Sequence, residues 1–137
     1  MQRLTFVIAL LAAANTWAGY TITPVEMTYT AIGETMYRIH LYAKAKGKLP
    51  ANLEVLPKRS GYANSTVDGW DVKLMYRIFD DGTLTLASLG KDQKVGGAGE
   101  NEDIVSRYRW RDSAGRFLAK NQNWIVEGEI DHSPGAR

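Results

Sequence analysis

The residues best suited to chemistry lie in one acidic, glycine-rich stretch, residues 88–104, which reads SLGKDQKVGGAGENEDI. Its four carboxylates are Asp92, Glu100, Glu102 and Asp103, spread over twelve positions. The glycines between them permit left-handed backbone and close approach of one chain segment to another. Because hard divalent cations prefer carboxylate and carbonyl oxygens, we interpret the stretch as a calcium loop; a flexible, solvated turn with scattered acids is the alternative.

The stretch does not follow the EF-hand pattern, in which oxygen ligands alternate along the chain around a central glycine and end on a glutamate. Asp92 is followed by Lys94 and then by Gly96. We therefore expect an irregular site, in which the glycines fold the loop back on itself. Such a site would be structural and would hold a loop against the edge of a sheet.

The other chemistry-bearing residues form no catalytic pattern. His40 and His132 have no spacing that suggests a shared metal, and the sequence contains no Gly-x-Ser-x-Gly elbow, phosphate loop or cysteine. Asp80 and Asp81 precede a glycine and are typical of a turn. The sequence predicts a protein that is not an enzyme, and a small hydrolase stays as an alternative.

Composition favours one soluble globular domain, because 45% of the 137 residues are hydrophobic and 23% are charged. The formal net charge of +2, without a run of basic residues, argues against a nucleic-acid partner. The absence of cysteine excludes disulfides and thiolate metal sites. Extra stabilisation would have to come from packing or from an ion held by oxygen ligands.

Residues 1–18 resemble a secretory signal peptide. Arg3 precedes an apolar run over residues 4–14, and Thr16 and Ala18 place small side chains before a cleavage point after Ala18. The run is shorter than the roughly 20 residues that a membrane-spanning helix needs. We expect a mature domain of residues 19–137 in the periplasm or secreted, with no stable membrane anchor after cleavage.

The elements that must position the loop begin with a helix over about residues 24–46. Thr23, Pro24 and Glu26 form a capping box with proline at the first helical position, and Gly47 ends the helix. Apolar residues recur at spacings of three and four on one face: Val25, Tyr29, Ile32, Met36, Ile39 and Ala43. Charged residues are expected mainly elsewhere: Glu34, Arg38, Lys44 and Lys46.

A sheet is expected over about residues 71–127. Residues 71–79 alternate with period two, a turn follows at 80–82, and residues 83–89 complete a hairpin from which the acidic loop leaves. Residues 104–111 predict an edge strand with a cationic face. One or two further short strands are expected at 117–119 and 124–126, and residues 131–137 form a tail. A helical turn is expected at 52–55. The fold class is α+β, with one long N-terminal helix packed on a small antiparallel β-sheet.

From about Tyr29 to Ile104 the chain resembles the globular part of the major pseudopilin of type II secretion systems. That family has a Tyr-Pro turn after its helix, an Asp-Pro-Trp-Gly motif that opens the hairpin, and a loop close to Ser-x-Gly-x-Asp-Gly-x-x-Gly-Gly-x-Gly-x-x-x-Asp-Ile. Here the sequences Leu-Pro at 49–50, Asp-Gly-Trp-Asp at 68–71 and residues 88–104 stand at these places. The resemblance implies calcium ligands at Asp92 and Asp103 and a backbone carbonyl ligand at Leu89.

The chain departs from the family pattern at several places. Gly69 replaces a proline, Asp71 replaces a glycine, and Gln93 replaces the glycine after the first aspartate of the loop. The family's cleavage signal, Gly-Phe-Thr-Leu-x-Glu followed by a long apolar helix, is not found, and the segment from Val105 onward has no counterpart. We therefore expect an exported pseudopilin-like domain that does not polymerise by the family's route.

Two non-catalytic functions are compatible with these features. The first is a structural or interaction protein accessory to a secretion or pilus-like apparatus. Its partners would be proteins of that apparatus. The second is a free-standing extracytoplasmic binding module that reuses the fold. Its contact surface would consist of tryptophans and an arginine row: Trp70, Trp110, Trp124, Arg107, Arg109 and Arg111.

Overall fold

The computed structural model describes residue 19, residues 21–118 and the backbone of residues 125–130. The predicted signal peptide, His132 and the tail at 131–137 lie outside these residues. The helix is α1 (Pro24–Lys46), and the strands are β1 (Met75–Ile78), β2 (Thr83–Ser88), β3 (Ile104–Arg109) and β4 (Ile125–Ile130). The predicted α+β class is confirmed, because α1 packs on an antiparallel sheet of these strands.

Helix α1 begins and ends where its capping residues predict. The backbone N–H of Thr23 donates to Glu26 Oε2 at 2.8 Å, and the N–H of Glu26 donates to Thr23 Oγ1 at 3.2 Å. At the other end Gly47 has a φ of 69° and donates its N–H to the carbonyl of Ala43. Local hydrogen bonds therefore cap both ends of the helix.

The buried face of α1 differs from the predicted one at two positions. Tyr29 was expected in the core, yet 42% of it is exposed, because the buried stripe passes through Thr28 and Thr35 instead. Arg38 was expected on the solvent side, yet only 4% of it is exposed. The pattern of apolar residues could not predict this, because polar residues on the buried stripe hydrogen-bond to distant loops.

The segment after α1 fills one end of the core. A 3-10 turn at Leu53–Val55, capped by Asn52, confirms the predicted helical turn. Leu49, Leu53 and Leu56 are buried in the same cluster as the helix and the sheet. Tyr76 on β1 donates its hydroxyl to the carbonyl of Pro50, and burial raises the pKa of Tyr76.

The sheet has the strand order β1-β2-β3-β4, and each neighbouring pair is antiparallel. The hairpin of β1 and β2 is confirmed, although β1 is shorter than predicted: only an isolated bridge between Val67 and Lys73 precedes it. The prediction that β3 is an edge strand is wrong, because β3 pairs with β2 on one side and β4 on the other. Residues 117 and 118 of the predicted strand at 117–119 contribute a bridge between Arg111 and Phe117, and residue 119 lies outside the described residues. Strand β4 begins within the predicted 124–126.

The hydrophobic core lies between α1 and one face of the sheet. Ile32 and Ile39 of the helix and Leu84 and Leu86 of β2 are almost completely buried there. On the opposite face of the sheet, Ala87 and Val105 form a small second cluster with partly buried Met75 beside it. The acidic loop leaves β2 and enters β3 at the end of this sheet.

Candidate functional site

Residues 89–103 form the loop between β2 and β3, as predicted. Ser88 and Ile104, the residues that flank it, are paired directly across the two strands. The loop therefore starts and ends at one point of the sheet, and its interior must be organised by its own backbone. It contains one short 3-10 turn, Gly99–Asn101.

Two glycines allow the loop to fold back on itself. Gly90 has a φ of 70°, and a Cβ atom added to it would lie 2.7 Å from the carbonyl oxygen of Glu100. Gly97 has a φ of 100°, and its added Cβ would lie 2.5 Å from the carbonyl oxygen of Asn101. The N–H of Lys91 donates to the Glu100 carbonyl at 2.7 Å, which closes the base of the loop. An exposed ion pair between the Lys91 and Glu100 side chains adds little to this closure.

The predicted ligand residues occupy three different environments. Asp103 is 1% exposed and accepts a hydrogen bond on Oδ2 from the N–H of Gly96 at 2.8 Å, so its carboxylate faces the middle of the loop. Asp92 is exposed, and its Oδ1 accepts from the N–H of Lys94 at 3.0 Å. Leu89 is half-buried directly after β2.

A cation at this loop would need backbone oxygens in addition to side chains. In residues 19, 21–118 and 125–130, no group of three or more His, Cys, Asp or Glu side chains could hold a metal ion. A site at Asp92 and Asp103 therefore needs carbonyl oxygens, such as that of Leu89, in addition to the two carboxylates. Mixed carboxylate and carbonyl coordination is a feature of calcium sites.

Asp68 organises the base of the loop, although sequence reasoning assigned it no role. Its side chain is 4% exposed, and its Oδ1 accepts from the N–H groups of Trp70 at 2.9 Å and Val72 at 3.0 Å. Its Oδ2 accepts from Ser88 Oγ at 2.6 Å, and Ser88 Oγ in turn accepts from the N–H of Gly90 at 3.1 Å. Asp68 thus joins the turn before β1 to the start of the acidic loop. Its place at the head of the Asp-Gly-Trp-Asp motif was the available signal.

The structure explains the departure from the family motif at Gly69 and shows which backbone conformation the other two departures retain. The N–H of Gly69 donates to Thr28 Oγ1 at 2.9 Å, a bond that proline cannot make. A Cβ atom added to Gly69 would lie 2.0 Å from the carbonyl oxygen of Pro24. Asp71 and Gln93, which stand at glycine positions of the family, both keep a left-handed backbone, with φ values of 62° and 54°.

The arginine row is engaged in contacts within the protein. Arg107 donates to Asp81 Oδ2 and to Thr83 Oγ1, both at 3.1 Å. Arg109 donates to the carbonyl of Asp81 at 3.1 Å. The guanidinium of Arg111 lies 4.3 Å from the ring centroid of its neighbour Trp110.

The predicted tryptophan surface is also largely internal. Trp110 is buried and makes an edge contact with Phe117, and Trp70 is half-buried. Trp124 lies outside the described residues, so the third part of the prediction is not tested. In the part of the chain that the structure describes, no helix has the length and apolar character needed to cross a membrane.

A capped helix on an antiparallel sheet, with a self-closing acidic glycine loop between the second and third strands, defines a pseudopilin-like domain. A family model described as "Type II secretion system (T2SS), protein G" matches residues 25–107, which include all of α1 but its first residue, the hairpin, the loop and most of β3. The chain belongs to this family, and the resemblance noted in its sequence is confirmed. No curated protein and no solved structure gives a significant match.

Proposed function

We propose that the protein is an exported, non-catalytic interaction protein accessory to a type II secretion or related pilus-like apparatus. The observation that carries this proposal is the family match over residues 25–107, which places the helix, the hairpin and the loop in one family of secretion components. The family is structural rather than enzymatic. The signal peptide expected at residues 1–18 would deliver the domain to the periplasm or the exterior.

We further propose that a calcium ion braces the loop, with Asp92 and Asp103 as carboxylate ligands and Leu89 as a carbonyl ligand. Three observations support this: the loop closes on itself at Gly90, the buried Asp103 carboxylate faces its interior, and hard oxygen donors lie at both ends of the loop. Bound calcium would supply positive charge that holds two carboxylates in one place. The role is structural and involves no reaction.

The secretion role is tested by retention of purified globular domains of type II secretion pseudopilins from the same genome on the immobilised full chain. We expect retention of at least one of them in millimolar calcium, and weaker retention in chelator. The control is Leu86→Asp, which places a charge at a fully buried position and is expected to unfold the domain. No retention above this control in either condition would contradict the proposal.

A further inference from the structure

A second organised group of side chains lies away from the acidic loop, between α1 and residues 57–64. The guanidinium carbon of Arg59 lies 4.1 Å from the ring centroid of Tyr37 and 3.5 Å from that of Tyr62. Both tyrosines are about half exposed, at 50% and 54%. A guanidinium that lies over aromatic rings uses its flat faces for these contacts and keeps its N–H groups in the plane between them.

The backbone that carries Arg59 is held in one conformation by Asn64. The Oδ1 atom of Asn64 accepts from the N–H of Arg59 at 2.7 Å, and its Nδ2 atom donates to the Arg59 carbonyl at 2.8 Å. Asn64 itself has a left-handed φ of 56° and is tied to α1 through Glu34 Oε1 and Arg38 Nη1. Arg59 is therefore presented on a rigid turn, which lowers the entropy cost of binding through it.

Arg59 carries a charge that no carboxylate in the described part of the chain neutralises through an ion pair. The ion pairs there join Lys73 to Glu54, Lys91 to Glu100, Arg107 to Asp81 and Arg116 to Asp112. Glu34, whose carboxylate contacts this turn, accepts a hydrogen bond from the N–H of Asn64. The exposed Lys58 next to Arg59 adds a second positive charge.

We propose that Arg59, Tyr37 and Tyr62 form a docking site for a carboxylate on an acidic segment of a partner protein. The planar guanidinium matches a carboxylate through two parallel N–H···O bonds, and the two tyrosine rings cover its flat faces. Arginine and tyrosine are also the residue types that dominate interface hot spots. The proposal depends on neither calcium nor a role in secretion.

The test is titration of the full-length chain with an amidated tetraglutamate peptide at low ionic strength, followed by calorimetry or by amide chemical shifts. Tetraglutamine is the neutral control. We expect tetraglutamate to bind at least tenfold more tightly than tetraglutamine, and Arg59→Gln to weaken tetraglutamate binding at least tenfold. Arg59→Lys should weaken it several-fold, because an ammonium lacks the planar fork. Tyr62→Ala should also weaken it several-fold.

The matched control is Arg116→Gln, which removes an exposed guanidinium that is already paired with Asp112. Its affinity for tetraglutamate should stay within twofold of the wild type. Equal binding by Arg59→Gln and the wild type, or an equal loss in Arg116→Gln, would overturn the proposal. Displacement of the peptide by inorganic phosphate at a tenfold lower concentration would assign the site to phosphate and would also overturn it. Melting temperatures within 2 °C of the wild type confirm that each variant is folded.

Discussion

At the scale of single residues, the acidic loop and the turn before β1 keep a left-handed backbone even where glycine is replaced by another residue. Asp71 and Gln93 stand where the family has glycine, and both keep a positive φ. Non-glycine residues in this region carry a free-energy cost of about 1 kcal/mol, and aspartate tolerates it better than most. The left-handed turns are therefore retained although the glycines are lost.

Two substitutions of Asp71 should change the free energy of unfolding in opposite directions. Its side chain is exposed, so Asp71→Gly should raise the free energy of unfolding by about 0.5–1 kcal/mol because glycine adopts the left-handed region freely. Asp71→Ala should lower it by a similar amount. Urea denaturation measures both. A change of the same sign in the two variants would show that backbone strain does not decide stability at this position.

Gly90 tests the closure of the acidic loop. Gly90→Ala should lower the free energy of unfolding by about 2 kcal/mol or more, because its Cβ would overlap the backbone at Glu100 in addition to the left-handed strain. The matched control is Gly99→Ala: Gly99 has a φ of 61°, but nothing lies within 4 Å of its added Cβ. Its cost should stay near 1 kcal/mol. Equal losses in the two variants, measured by urea denaturation, would contradict the tight crossing at Gly90.

At the scale of elements, Arg38 connects α1 to the long connection that follows it. Its Nε donates to the carbonyl of Pro57 at 2.8 Å, and its Nη1 donates to the carbonyl of Asn64 at 2.9 Å. Burial lowers the pKa of Arg38, and the nearby Glu34 carboxylate opposes that effect. The guanidinium thus holds residues 57–64, which form no helix or strand, through hydrogen bonds to their backbone.

Removal of this support should loosen the connection. Arg38→Ala should lower the free energy of unfolding by about 2–4 kcal/mol, because partly buried carbonyls lose a charged donor and a cavity forms at a buried position. Amide hydrogen exchange in residues 57–64 should accelerate more than exchange in β2. Arg116→Ala, at an exposed position, is the control and should change stability by less than about 0.5 kcal/mol. Uniform acceleration over the chain would contradict a local support role.

At the scale of the whole molecule, calcium binding to the native loop should stabilise the entire fold. The helix, the hairpin and β3 share one core, so a ligand that binds only the folded loop raises the free energy of unfolding of all of them. Linkage gives about 2.7 kcal/mol at a hundredfold excess of calcium over its dissociation constant. The stabilisation requires the folded loop, because the proposed ligands lie at both of its ends.

Thermal melting in calcium and in chelator measures this effect. We expect a higher melting temperature in calcium for the wild type and no difference between the two conditions for Asp92→Ala or Asp103→Ala. Asp92→Asn removes the charge of an exposed side chain and keeps its shape, so it should disturb the fold less than the alanine variants. Asp80→Ala, in the exposed hairpin turn, is the control that should keep the calcium effect. Equal melting of the wild type in calcium and chelator would contradict the calcium proposal.

The parts of the fold that depend on neighbouring residues were predictable from the sequence. The bounds of α1 follow from Thr23, Glu26 and Gly47, and the β1–β2 hairpin follows from alternation around one turn. The loop between β2 and β3 was placed correctly because glycines and acids cluster in it. The calcium ligands Asp92, Asp103 and Leu89 stay a prediction.

Contacts between segments that are distant in the sequence became visible only in the tertiary structure. Arg38 is buried because loop carbonyls reach it, Asp68 joins two loops because its partners converge in space, and β3 is internal because β4 pairs with its far side. Residues far apart in sequence meet through loop closure, which leaves no periodic signal in the chain. The acidic stretch was therefore recognisable by itself, whereas its anchorage on Asp68 and Gly90 became visible only once the chain was folded.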